Sequence, residues 1–207
     1  MSRTVFAFFD LDAAPQHGVT GDLATRLGAA TGDAGFIDGA VYARSDHAAV
    51  ALQLQSGEES GWAERGAVAT LIQAAQWRSR DQDVRAYQLA RRVAGDGDGV
   101  RDSTFYIVQR FVVSAGKQAA LVAAVCDHAD RFAGSIPGFL GGDAYTSLDG
   151  TRVVFVMPWA HEAALNALEN GDGSLAAMQT YLRMSERYSY ESYERVSYLR
   201  GATARSV

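Results

Sequence analysis

The chain resembles itself at a constant offset of 103 residues. Gly35-Phe36-x-x-Gly39-x-x-Tyr42-x-x-x-Asp46 falls on Gly138-Phe139-x-x-Gly142-x-x-Tyr145-x-x-x-Asp149. The same shift, read without a gap, pairs Phe8 with Phe111, Val50 with Val153, Gln76 with Gln179, Tyr87 with Tyr190, and Arg92-Val93 with Arg195-Val196. A period this long excludes a solenoid of short stacked repeats. It predicts one small domain duplicated and fused: residues 1–94 as the first repeat, the Gly/Asp-rich 95–102 as linker, and 103–207 as the second repeat.

Each half reads as the same series of elements. In the first, Thr4–Leu11, Phe36–Ala43, Ala48–Gln55 and Asp83–Val93 have strand character. Leu23 and Leu27 mark a short helix ending near Gly32, and Glu58–Trp77 reads as a longer one. In the second, the strands are Ser103–Val113, Phe139–Leu148, Thr151–Met157 and Tyr188–Leu199, with Asp149-Gly150 as a hairpin turn. Lys117–Phe132 is a helix with Leu121, Val125 and Phe132 on one face, and His161–Glu169 and Ser174–Met184 form a split second helix. Each half is thus β-α-β-β-α-β, the ferredoxin-like unit. A sheet with helices on one face only should alternate apolar and polar residues. Val5-Phe6-Ala7-Phe8-Phe9 and Val153-Val154-Phe155-Val156-Met157 do not. The second face must also be covered, and the sheet of the other half is the nearest candidate. The expected fold is α+β: two fused ferredoxin-like repeats forming an intramolecular dimeric α+β barrel. Two independent domains that each pair with another molecule are the alternative. The expected assembly is a monomeric pseudo-dimer or a homodimer.

Composition narrows the function classes. At 207 residues, with 48% apolar and 21% charged residues, the chain is globular. A net charge of -5 and scattered arginines argue against a nucleic-acid surface. No apolar run approaches the roughly 20 residues that span a bilayer, and no membrane partner is expected. Cys126 is the only cysteine, so an internal disulfide is impossible. With no signal peptide visible, a cytoplasmic location is expected.

The second half is similar to the antibiotic biosynthesis monooxygenase family. The resemblance rests on Phe105-Tyr-Ile-Val-x-Arg-Phe-Val-Val113, Ile136-Pro-Gly-Phe139, Asp149-Gly150 and Val153-Val-Phe-Val-Met-Pro-Trp159 followed by Glu162, Ala163 and Ala164. It reaches the first half only through the repeat, because Ser56 stands where Trp159 stands. It implies the dimeric α+β barrel superfamily, whose members include anthrone oxygenases, quinone-forming monooxygenases, polyketide cyclases and haem-degrading oxygenases. The anthrone oxygenases pair an Asn with the Trp, four residues before it, and here that position is Phe155.

Motifs for other chemistries are missing. His17, His47, His128 and His161 are scattered without zinc spacing. Gly95-Asp-Gly-Asp-Gly99 joins no strand to a helix as a dinucleotide fingerprint requires, and no G-x-S-x-G elbow occurs. An oxygenase that works on an electron-rich polycyclic aromatic of polyketide type needs no metal or tightly bound cofactor. A base removes a proton, the anion reduces O₂, and the radical pair recombines. In a related version reduced flavin arrives from a separate flavin reductase. The alternatives are a polyketide cyclase of the same fold, a haem-binding or haem-degrading protein with His128 as axial ligand, and a non-catalytic binder of aromatic ligands.

The candidate catalytic residues are His128 as general base, Arg110 as holder of an anionic oxygen, and Trp159 as the family's pocket tryptophan. Candidate substrate contacts are Trp62 and Trp77 for stacking, the polar Gln53 and Gln55 within an apolar strand, and the strand residues Tyr106 and Tyr145. A structural role competes at each: helix surface for His128, an ion pair for Arg110, packing for the aromatics, an exposed edge for the glutamines. Under the constant offset, Trp159 faces Ser56, His128 faces Thr25, Arg110 faces Ala7, and Gln53 and Gln55 face Val156 and Pro158. The halves differ where chemistry would sit. That predicts one working pocket, favouring the second half, and one filled or repurposed.

Overall fold

A computed structural model describes residues 2–11, 16–33, 35–44, 49–57, 66–76, 79–95, 103, 105–169 and 174–201. The elements run β1 (Arg3–Leu11), α1 (Gln16–Ala30), β2 (Phe36–Arg44), β3 (Ala49–Ser56), α2 (Gly66–Gln76), β4 (Ser79–Val93), β5 (Phe105–Val112), α3 (Gln118–Phe132), β6 (Gly142–Ser147), β7 (Arg152–Trp159), α4 (Glu162–Glu169), α5 (Ser174–Leu182) and β8 (Arg187–Arg200). Both β-α-β-β-α-β series are present, the second with its last helix split in two. The strands hydrogen-bond in the order β1-β3-β2-β8-β5-β7-β6-β4 and close an eight-stranded barrel. The α+β class read from the sequence is the observed one. Two compact units are distinguished: Met1–Tyr87 with Glu194–Val207, and Gln88–Tyr193. They are called unit 1 and unit 2 below.

In unit 1, Val5, Ala7, Phe9 and Leu11 of β1 join Val50, Leu52 and Leu54 of β3 under α1 and α2. The opposite, helix-free face carries Phe6, Phe8 and Tyr87. Phe6 lies 6.0 Å from Phe8 and 5.3 Å from Tyr87, ring centre to ring centre. Helix α2 runs from Gly66 to Gln76, and residues 58–65 and Trp77 of the expected Glu58–Trp77 helix lie outside the described residues. Its first free N–H groups are capped from a distance: Ala67 N and Val68 N donate to Asp33 Oδ2 at 2.9 and 3.2 Å. A carboxylate at this end also meets the positive pole of the helix. Strand β4 begins at Ser79, earlier than the expected Asp83, because Ser79 already pairs with Leu11 across a bulge in β4.

In unit 2, Phe105, Ile107 and Phe111 of β5 and Val153, Phe155, Met157 and Trp159 of β7 form the core face with α3, α4 and α5. The β6–β7 hairpin turns where expected. Asp149 Oδ1 accepts from Ser147 Oγ at 2.6 Å and from Thr151 N at 3.0 Å, while Gly150 takes φ 79. Strand β6 is shorter than the expected 139–148. Gly141, at φ 107, breaks the extended run, and Phe139 makes only an isolated bridge to Trp159.

The shared glycines have physical reasons. Gly35 and Gly138 both adopt a left-handed φ, 83 and 86, which side chains with a Cβ avoid. Gly39 and Gly142 permit close approach: a Cβ on Gly142 would meet the Phe155 ring at 2.7 Å, and one on Gly39 would meet Leu27 at 2.8 Å.

The single gap-free offset needs correction. It holds for β2 and β3, since Val50 and Val153 both face helices. It fails for β1. Val50 pairs with Phe9, whereas Val153 pairs with Phe111. Phe111 therefore corresponds to Phe9, not Phe8, which points the other way. Helices α1 and α3, both 15 residues long, likewise start 102 apart. The second half has one extra residue in the turn before Gly138. Arg110 thus stands opposite Phe8 rather than Ala7, and His128 opposite Arg26 rather than Thr25. Tyr87 and Tyr190 also part company: Tyr87 is on the helix-free face, while Tyr190 packs on the helix-side core.

Candidate functional site

The helix side of unit 2 gathers polar groups into an aromatic layer. On α3, Leu121, Val125 and His128 are spaced to share one face. His128 is accordingly 8% exposed, not a surface residue. Its ring lies 5.6 Å from that of Tyr181 on α5. Tyr181 also packs on Phe111 at 6.1 Å, and Phe111 on Tyr188 of β8 at 5.0 Å. Gln109 interrupts the inward series Ile107, Phe111 on β5. It is 5% exposed and hydrogen-bonded to Tyr181.

Three buried atoms in this layer have no hydrogen-bond partner among the described residues: Gln109 Oε1, Tyr188 OH and Trp159 Nε1. Buried polar atoms are almost always paired, by protein, water or ligand. Leaving one unsatisfied costs about 1–3 kcal/mol. Three in one core layer are the mark of a place built for something polar.

The protonation states follow from burial. Desolvation, with help from the positive charge of Arg131, lowers the His128 pKa below its ordinary value, so the imidazole is neutral near pH 7. Burial pushes the Tyr181 phenol up to about 12, with the Gln109 hydrogen bond opposing. Tyr188 is pushed up further, by burial first and then by Tyr181 and Tyr190. The layer thus holds a neutral base and two phenols that stay protonated.

Trp159 is fully buried, with its ring 5.3 Å from Phe139. Its carbonyl accepts from Ser103 Oγ at 2.6 Å. It sits at the far end of the same layer, opposite Phe105. Gln109 lies four residues further along β5, about 13 Å away at strand spacing. A compact ligand touches one end or the other, and an elongated fused-ring system can touch both.

The opposite face of this sheet is polar but internally satisfied. Arg110 donates to Ser189 Oγ at 3.1 Å and to Glu191 Oε1 at 2.8 Å, and Tyr193 OH donates to Glu191 Oε2 at 2.5 Å. Tyr145 OH donates to Asp143 Oδ2 at 3.2 Å, and Arg92 Nε is 3.2 Å from the same carboxylate. Burial raises the Asp143 pKa against the lowering pull of Arg92 and Tyr145. Tyr106 OH donates to Ser103 O at 3.1 Å.

The sheet therefore divides the expected residues. His128 and Trp159 are on the helix side, and Arg110, Tyr106 and Tyr145 are on the helix-free side. Gln53 and Gln55 belong to unit 1. They lie on β3, which pairs with both β1 and β2 and so is not an edge. Tyr42 OH donates to Gln53 Oε1 at 2.9 Å. Trp62 and Trp77 lie outside the described residues. Gln109, Tyr181 and Tyr188 were not singled out from sequence as site residues. Gln109 had a readable signal, a polar residue at an inward position of an apolar strand. Among the described residues no group of three His, Cys, Asp or Glu side chains is placed to hold a metal ion.

An α+β barrel of two ferredoxin-like series, with a polar layer between sheet and helices, places the chain in the dimeric α+β barrel class. Residues 104–180 match the family model "Antibiotic biosynthesis monooxygenase", the family that the motifs of the second half resemble. No curated protein sequence matches the chain. Among solved structures, an anthrone oxidase-like protein superposes with a TM-score of 0.79 at 16% identity, covering 100% of this chain and 96% of that one. A monooxygenase-like protein from Listeria innocua gives 0.53 at 10% identity, covering 93% of each chain. A heme-degrading enzyme from Listeria monocytogenes gives 0.50 at 9%, covering 92% and 98%. At these identities the likeness is one of fold.

Proposed function

We propose that this chain is an oxygenase that binds an electron-rich polycyclic aromatic of polyketide type in the helix-side layer of unit 2 and oxidises it with O₂. The observation that carries this reading is the convergence of a buried neutral imidazole, two protonated phenols and unpartnered polar atoms within one aromatic layer. Aromatic walls suit a flat ring system, and the length of the layer suits several fused rings.

His128 takes the proton from the activated carbon or phenol of the substrate, being neutral and shielded from water. A buried phenol hydroxyl, that of Tyr188, then holds the resulting oxyanion. The anion passes one electron to O₂, and the substrate radical and superoxide combine into a C–O bond. The imidazolium returns its proton to the peroxide, which loses water to leave a ketone. For an anthrone the balance is one CH₂ and one O₂ in, one C=O and one H₂O out. Arg110, held by Glu191, has a structural role in this scheme.

The test is product formation from 1,8-dihydroxyanthrone with and without O₂. Conversion to the anthraquinone in air, absent under argon, is expected. Equal turnover under argon, or no conversion in air, contradicts the oxygenase. Stimulation by a flavin reductase with reduced flavin identifies the flavin-assisted version, and a Soret band on haem titration identifies a haem protein.

A further inference from the structure

Gln109 and Tyr188 both interact with Tyr181 in unit 2. Gln109 is two residues before Phe111 on the same face of β5, and Phe111 packs directly on Tyr188. The Gln109 amide is committed at one end to Tyr181, and its Oε1 has no donor. The Tyr188 hydroxyl is buried and unpartnered, and burial keeps it protonated. The same aromatic layer thus presents a bare acceptor and a bare donor.

We infer that Gln109 and Tyr188 are the specificity pair of the site and read a hydroxy-keto edge of the substrate. Gln109 Oε1 accepts from a ring hydroxyl, and Tyr188 OH donates to the adjacent carbonyl or phenolate oxygen. A ring system without the hydroxyl leaves the amide oxygen dry and unpaired. Sites built around a buried hydrogen bond reject analogues that lack the matching group far more strongly than apolar pockets reject shape changes. This rests on the helix-side layer being the binding site. It does not require that the bound ligand react with O₂.

The experiment is anaerobic binding, followed by tyrosine and tryptophan fluorescence, of 1,8-dihydroxyanthrone and of anthrone, which lacks the two hydroxyls. Wild-type protein is expected to bind the dihydroxy compound about tenfold more tightly or better. Gln109→Leu is expected to lose most of that preference, whereas Tyr188→Phe is expected to bind both compounds several-fold more weakly, since both carry the carbonyl. Tyr188→Phe keeps the ring packing on Phe111 and carries the test alone should Gln109→Leu fail to fold. Equal affinity of wild type for both compounds, no binding of either, an undiminished preference in a folded Gln109→Leu protein, or unchanged affinity for both compounds in a folded Tyr188→Phe protein overturns the inference. A preference that behaves as expected, in a protein that consumes no O₂, sustains the specificity pair and refutes the oxygenase alone.

Discussion

Gly142 and His128 show how single positions set the terms for their surroundings. A methyl group on Gly142 would press into the Phe155 ring at 2.7 Å, and Phe155 is fully buried in the unit 2 core. Gly142→Ala is expected to destabilise the protein by about 1–3 kcal/mol through overpacking, read as a lower urea midpoint with an unchanged slope. His128 acts through charge. Its folded pKa lies below the ordinary 6.5, so the unfolded chain takes up the proton first. Stability is therefore full above about pH 6.5 and declines as the pH falls from there through the folded value. Urea unfolding of His128→Gln should lack that part of the slope. Catalysis that needs the neutral imidazole falls over the same interval, so the rate should show an acidic limb.

Elements carry the next level. Helix α2 depends on Asp33, a residue outside the helix and more than thirty positions before it. Asp33→Ala is expected to cost about 1–2 kcal/mol and to raise amide exchange at Ala67 and Val68, whose N–H groups it caps. The hydrophobic period of α3 was legible: Leu121 and Val125 predicted its buried face, and His128 falls three residues on. What pattern could not supply was the partner across that face. Tyr181 comes from α5, and Tyr188 from β8. Only tertiary packing brings them to Phe111. Strand parity was the other weak point. One extra residue before Gly138 leaves β2 and β3 aligned with β6 and β7 and turns β1 against β5, so Phe8 and Phe111 point to opposite faces. A one-residue slip exchanges every side chain between faces, and a faint repeat cannot reveal it.

At the scale of the whole molecule, two series with one element order carry different chemistry. With the corrected register, Ala7 stands where unit 2 has Gln109, Arg26 where it has His128, and Ser56 where it has Trp159. The helix-free face of unit 1 is filled by Phe6, Phe8 and Tyr87, and Phe8 occupies the place of Arg110. The turn glycines that set the fold are common to both, and the polar residues of the candidate site belong to unit 2. We therefore expect one ligand per chain. Calorimetric titration with 1,8-dihydroxyanthrone should give a stoichiometry near one, and two equal sites would count against a single working pocket. The fold was legible because glycine and apolar patterns encode it locally. For the candidate site, the residue types were legible but not the face each takes, because His128 and Trp159 lie in recognisable surroundings while Arg110, Tyr106 and Tyr145 sit in equally suggestive ones. The structure separates the two sets by the face of the sheet on which each lies.

The central claim is that His128 removes the proton that commits the substrate to O₂. The most direct measurement is O₂ consumption with saturating 1,8-dihydroxyanthrone, wild type against His128→Ala, with folding of both checked by circular dichroism. The account predicts one O₂ per anthraquinone formed and a kcat about 10²–10⁴-fold lower in the folded variant, with binding of the anthrone retained. A folded His128→Ala protein that consumes O₂ at the wild-type rate would contradict it.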